Sequence, residues 1–228
     1  MDYRISLPLL GLLLIDFGVF HQGYYLLAVW LGTNFLVLGI AHIYHWSRVF
    51  GKRRDGKMPL WSWMLFLPLH LLTLGTWHLA RLFIKEAPCN QITQKLAIGR
   101  RMLSSEVDPS FAVYLDLTAE FSEVANARSL NGYRCYPILD GSIPTIDQLN
   151  EIIALMSGVK IFIHCAQGHG RSGTVALAYL LETGTVQTVE QGLALILNAR
   201  PALKLGKRQL QFMHEYFDQS REEKSSLS

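Results

Sequence analysis

Cysteine is scarce in this 228-residue chain, which has only Cys89, Cys135 and Cys165. Three thiols cannot complete a disulfide framework, and none stands in a C-x-x-C pair, so a disulfide-stapled scaffold and a zinc ribbon are both excluded. The chain also lacks an internal repeat, a low-complexity linker and a basic stripe on its C-terminal part. From residue 89 onward there are 13 basic and 14 acidic residues. That near-neutral balance argues against a nucleic-acid reader. Residues 1–88 differ, with eight basic residues against four acidic ones among long apolar runs. A basic, apolar front and a near-neutral back point to a membrane portion followed by a soluble domain.

The front contains three apolar stretches. Ser6 to Phe20 is short and carries Asp16, a bundle-facing partner or the mark of a segment that only dips into the bilayer. Tyr24 to Tyr44 is long enough to span. Leu60 to Leu79 is another such run, with Trp61, Trp63 and Trp77 near its ends, as interfacial aromatics would be. No small-residue cleavage site follows the first stretch, so a hairpin is expected rather than a signal peptide. The compact basic loop from Arg48 to Lys57 favours the cytoplasmic side. Arg81, Lys85, Lys95, Arg100 and Arg101 follow the third stretch and balance that bias, so neither side of the membrane is selected for the soluble domain.

From about Gln91 short strands alternate with helices. Strands are expected at 96–99, 111–118, 133–138 and 159–163, and Cys135 reads as a core residue of the third. Helices are expected at 120–128, 144–156 and 172–183, with two more from Thr188 and from Gly206 to Tyr216. Leu149, Ile152, Ile153 and Met156 fall at helical spacing, and Thr145-Ile146-Asp147-Gln148 resembles a capping box. The fold class is therefore α/β: a mainly parallel sheet with helices on its faces, preceded by an α-helical transmembrane region. Residues 1–88 are expected as two or three membrane-embedded helices, 90–222 as the catalytic domain and 223–228 as a polar tail. The tail from Gln219 is expected to fray.

Between a strand and a buried helix lies His164-Cys165-Ala166-Gln167-Gly168-His169-Gly170-Arg171-Ser172-Gly173-Thr174. A glycine-rich turn entering a helix N-terminus gathers free backbone N–H groups and the helix dipole, which together bind anions. Five residues between Cys165 and Arg171 let the loop wrap a tetrahedral oxyanion, with the guanidinium closing the ring. The phosphate-binding loop is then Ala166, Gln167, Gly168, His169, Gly170 and Arg171. The same field favours the thiolate of Cys165, the nucleophile. Ser172 is able to donate a hydrogen bond to that thiolate, and His164 to orient the cysteine backbone from below. Displacing an alkoxide requires an acid, and Asp140 sits at a strand end on the same sheet edge. Asp147 reads as serving a helix dipole, and Asp116 as capping or positioning a neighbour.

The His164-Cys165-x5-Arg171-Ser172 run with an upstream Asp140 resembles the cysteine-dependent protein tyrosine phosphatase superfamily, in its dual-specificity branch. Asp140-Gly141-Ser142-x-Pro144 and Gly168-x-Gly170-Arg171-x-Gly173-Thr174 are similar to the mitotic-exit subgroup, as are Arg200-Pro201 and Gln209-x-Gln211-Phe212. The resemblance covers residues 95 to 216 and no part of the apolar front. It implies a metal-free, cofactor-independent phosphomonoesterase working through a phosphocysteine. The long insertions that deepen the site of tyrosine-specific relatives are missing, which implies a shallow, permissive site.

A membrane-anchored, multi-pass dual-specificity protein phosphatase is the expected function, with phosphorylated protein as substrate, the lipid bilayer as partner and no nucleic acid. The alternative keeps the chemistry and takes a phospholipid head group, a phosphoinositide or phosphatidylglycerophosphate. The loop carries no lysine, which weighs against the polyphosphoinositide version. A catalytically inactive phosphate-binding module is the third reading, disfavoured because Cys165, Arg171, Ser172 and Asp140 are all present.

Overall fold

The computed structural model describes residues 3–156 and 158–226, with side chains described as far as residue 219. It divides into two units: Met1–Arg53, Lys57–Lys85 and Ala119–Ser122 form one, and Arg54–Gly56, Glu86–Thr118 and Glu123–Ser228 the other.

In the first unit, α1 (Tyr3–His21) and α2 (Leu26–Ile43) form the expected hairpin, turned by Gln22 and Gly23, both at φ 56°. Both are long and apolar enough to cross a membrane. Gly11 and Gly18 recur at seven residues on α1, Gly32 and Gly39 on α2. A Cβ on Gly11 would stand 2.6 Å from the Gly32 carbonyl oxygen, and one on Gly18 2.6 Å from that of Tyr25. Small residues at heptad spacing thus let the two backbones touch, the usual device of helices packed in lipid. Asp16 is exposed on α1, so it is not a bundle-facing partner.

The third stretch forms α3 (Leu60–Phe83), which runs beyond the expected end at Leu79. Unlike α1 and α2 it does not reach the hydropathy of a candidate membrane span, although its composition is about as apolar as that of α1. It is also broken: Pro68 has no N–H for the carbonyl four residues back, and Phe66 leaves helical geometry at φ −107°, ψ 18°. The Leu65 carbonyl beside the break accepts the Trp30 indole N–H at 2.8 Å and the Asn34 amide at 3.0 Å. Two polar residues one turn apart on α2 thereby satisfy a carbonyl at the kink. The loop before α3 is not uniformly solvated, because Val49, Phe50 and Lys52 are buried.

The second unit holds a five-stranded sheet in the order β1-β2-β5-β3-β4. The strands are β1 (Cys89–Gln91), β2 (Leu96–Arg100), β3 (Val113–Thr118), β4 (Tyr133–Ile138) and β5 (Ile161–Cys165). All pairs are parallel except β1 with β2, so Cys89 lies on an antiparallel edge strand ahead of the first expected strand. Side-chain alternation divides the core. Leu115, Leu117, Ile161, Ile163 and Cys165 face one layer, which also holds residues of α5 (Ile146–Leu155), α6 (Gly170–Glu182), α7 (Val189–Ala199) and α8 (Lys207–Ser226). Tyr114 and Phe162 face the other, with Met102, Phe111, Ala127 and Tyr133. The four longer helices therefore share one layer, and the opposite one is closed by loops and the short α4 (Ala125–Arg128).

The expected helix over 120–128 shrinks to α4 for a local reason. Glu120 accepts the backbone N–H of Ala119 at 2.9 Å and Glu123 that of Val124 at 2.7 Å, so the carboxylates stabilise a loop in place of a first helical turn. Thr145 caps α5 by accepting from the Gln148 N–H at 3.2 Å, and Thr188 caps α7 by accepting from Gln191, also at 3.2 Å. At the C-terminus α8 continues to Ser226, past Gln219 where fraying was expected. Residues 227–228 of the expected tail lie outside the described residues.

Candidate active site

Cys165 is the last residue of β5, the central strand, and is buried. The ladder continues past the strand end, since the Arg101 N–H donates to the Ala166 carbonyl at 3.2 Å. The loop then folds back on β2: Gly168 stands at φ +72°, and a Cβ there would lie 2.4 Å from the carbonyl carbon of Gly99. Only glycine meets both demands. Gly170 opens α6 against Gln209, whose side chain a Cβ at this position would meet at 2.5 Å. Gln209 in turn donates to the Ser142 carbonyl at 3.1 Å, tying α8 to the loop that carries Asp140.

Arg171 is the largest side chain in the fully buried core. Its guanidinium donates to the Ile138 carbonyl at the end of β4 at 2.8 Å and pairs with Asp140 at 3.0 Å. Asp140 itself is 66% exposed. The structure thus brings together the four residues singled out as catalytic in sequence: Cys165 at the strand end, Arg171 and Ser172 in the first turn of α6, and Asp140 against the guanidinium. The Ser172 hydroxyl is wholly buried and has no hydrogen-bond partner among the described residues, so it is not bonded to the Cys165 sulfur. A buried hydroxyl left so costs about 1–3 kcal/mol, a cost consistent with a group reserved for a ligand or for the thiolate. Asp147 lies in the first turn of α5, where its charge complements the helix dipole.

His164 points to the opposite side of the sheet from Cys165, as alternation requires. It stacks on Phe162 at 5.8 Å between centroids, and its Nδ1 lies 3.4 Å from the Cys165 carbonyl. Asp116, its cross-strand neighbour on β3, comes within 3.8 Å of Nε2, and Glu123 within 3.5 Å. Asp116 also accepts from the Thr118 N–H at 2.8 Å and from the Tyr133 hydroxyl at 2.7 Å. His164, Asp116 and Glu123 offer three ligand atoms within 4.8 Å of one another, the donor set of a small cation site. Both Asp116 oxygens already accept hydrogen bonds, so the cluster reads as a polar support beneath the loop.

Sequence reasoning missed a second support. Arg200, at the end of α7, donates to the Gln167 carbonyl of the loop at 2.9 Å, and pairs with Glu86 at 2.6 Å. The same Glu86 oxygen lies 3.2 Å from His169 Nε2. The Arg200-Pro201 pair marks Arg200 in the sequence; nothing local marks Glu86.

A family model for the dual specificity phosphatase catalytic domain matches residues 103–219, just over half of the chain. No curated protein matches the chain by sequence. Among solved structures, a mutant form of Tk-PTP is 25% identical, with a TM-score of 0.51 over 58% of this chain and 96% of that one. A variant of human DUSP28 is 14% identical, TM-score 0.52, over 60% of this chain and 99% of the other. PTPMT1 in complex with PI(5)P is 16% identical, TM-score 0.51, over 58% and 96%. The last two show likeness of fold alone. With its cysteine-to-arginine loop seated between β5 and α6 and the family model matched across it, the chain belongs to the dual-specificity phosphatase catalytic-domain family.

Proposed function

We propose that the chain is a membrane-anchored, cysteine-dependent phosphomonoesterase acting on phosphorylated protein. Its catalytic part is residues 90–222, and residues 1–88 hold it in the bilayer through α1 and α2. The observation that carries this reading is the pairing of buried Arg171 with exposed Asp140 beside the Cys165 loop. An entering phosphate dianion competes with the Asp140 carboxylate for the guanidinium, because it offers two oxygens to the planar fork. Arg171 and the loop N–H groups then hold the phosphoryl oxygens, and Asp140, released from the guanidinium, takes up a proton from water and turns to the leaving group as the acid.

Two balanced steps follow. The Cys165 thiolate attacks phosphorus, the P–O bond to the leaving group breaks, and that oxygen takes a proton from Asp140. Water then attacks the phosphocysteine and gives its proton to Asp140, and the S–P bond breaks to restore the thiolate. The Ser172 hydroxyl supplies a hydrogen bond to the sulfur as it leaves. No metal takes part in either step.

The full chain in detergent micelles should hydrolyse an aryl phosphate in the presence of a chelator, and Cys165→Ser should abolish turnover. Retained activity in that variant would end the mechanism. Asp140→Asn should lower the rate with alkyl phosphates by about 10²–10⁴ and far less with good leaving groups. Equal losses would move the acid elsewhere.

The two apolar helices favour a second substrate reading, a phospholipid head group, since anchoring raises the local concentration of such a substrate. Phosphopeptides compared with phospholipids in mixed micelles separate the two. A preference for soluble phosphopeptides supports the protein reading, and a preference for lipid replaces it.

A further inference from the structure

The phosphate loop has a partner outside the residues matched by the family model. Glu86 lies in the short segment between α3 and β1, with only Ile84 and Lys85 between it and the last residue of α3. One of its carboxylate oxygens, Oε2, serves two groups at once: Arg200 at 2.6 Å and the His169 ring at 3.2 Å. Arg200 also donates to the Ala87 carbonyl at 3.1 Å and to the Asn90 side chain, so the whole segment is gathered on one guanidinium. From the same guanidinium a bond runs to the Gln167 carbonyl at 2.9 Å. Gln167 and His169 flank Gly168, the residue held at φ +72°. A carbonyl at Gln167 that is held outward keeps the neighbouring N–H groups free to face an anion.

We propose that Glu86 is a positioning residue for the phosphate loop. Its carboxylate fixes Arg200 and the His169 ring together, and through them the backbone from Gln167 to His169. This inference rests on the phosphatase reading for its kinetic consequence, but not for its effect on phosphate binding. The segment leading into the sheet is then part of the binding apparatus, and substrate affinity depends on a residue that precedes the first strand.

The direction of the effect distinguishes this role from plain electrostatics. Glu86 is an anion near an anion site, so a purely Coulombic role predicts that its removal tightens phosphate binding. Positioning predicts the opposite, and it further predicts that an uncharged side chain with an acceptor oxygen in the same place suffices.

The test compares Glu86→Ala and Glu86→Gln in the full chain in detergent micelles. Inorganic phosphate is titrated by calorimetry, and KM and kcat are measured with an aryl phosphate. Glu86→Ala should raise both the phosphate Kd and KM about tenfold, with kcat changed less, and Glu86→Gln should stay within about threefold of the parent. Tighter phosphate binding in both variants overturns the proposal in favour of Coulombic repulsion. Unchanged Kd and KM with a lowered melting temperature overturn it in favour of a merely structural brace. His169→Gln combined with Glu86→Ala should add little to the single alanine variant, and full additivity would also count against the shared contact. If the parent binds phosphate but shows no Cys165-dependent turnover, the phosphatase reading fails while the calorimetric comparison still decides this one.

Discussion

Glycine works in opposite ways in the two units. In the helical hairpin, Gly11, Gly18, Gly32 and Gly39 sit in ordinary helical backbone and matter for the side chain they lack, which lets the carbonyl oxygens of Gly32, Tyr25 and Gly11 and, at Gly39, the Pro8 ring come close. In the phosphate loop, Gly168 combines that lack with a positive φ, and its neighbours are the backbone of an interior strand. The first kind of crowding is relieved by moving one helix along or away from another. The second has no such escape, because the strand it presses on is paired on both sides. Packing glycines should therefore be graded in their tolerance, and the loop glycine should not.

Three experiments bear on this contrast, from the largest effect to the smallest. Gly168→Ala should cut kcat/KM by about 100-fold, the scale expected when reacting groups are misplaced by about an ångström. It should also cost roughly 1–3 kcal/mol from backbone strain, seen as a lower melting temperature. A variant with full activity would show that the loop yields after all. Gly11→Leu and Gly32→Leu should each cost about 1–3 kcal/mol of overpacking, measured by thermal melting in detergent, with kcat unchanged. A collapse of activity in either would show that the two sets of glycines are not independent.

The smallest effect concerns His169. Burial, reinforced by the Arg200 and Lys204 cations, pulls its pKa below the ordinary 6.5, against the opposing pull of Glu86 and the Ala202 carbonyl. A lowered histidine pKa means that the unfolded chain binds the proton more readily. The neutral ring's contribution is therefore complete above the ordinary value and is lost as pH falls below it. The melting-temperature gap between the parent and His169→Gln should narrow between pH 8 and pH 5. A gap that widens toward acid would place the shift in the other direction.

How much of this was legible in the sequence follows from distance along the chain. The loop from Cys165 to Arg171 is local, so spacing alone placed its glycines, its cysteine and its arginine. Asp140 was legible because strand ends in a parallel sheet share one edge. The polar support under His164 was not: Asp116 meets it only through the β3–β5 register, and Glu123 only because the loop after β3 refuses to become a helix. Glu86 was invisible for the same reason, being one more charge at the end of an apolar run until Arg200 arrived from the far end of α7. The kink in α3 was readable from Pro68, yet the two α2 side chains that make it tolerable needed the packed hairpin.

The edge strand β1 has a practical consequence. It holds Cys89 half-buried, and burial pushes that thiol up to about 11, while Cys135 lies buried on β4. At neutral pH both are poor targets for an alkylating reagent. On the proposed mechanism, inorganic phosphate seated in the loop should shield Cys165 from a chloroacetamide or vinyl sulfone carrying a fluorophore, so the part of the labelling that phosphate suppresses should come from Cys165 alone. The stoichiometry of that part would count competent sites in any membrane preparation, without a substrate being known.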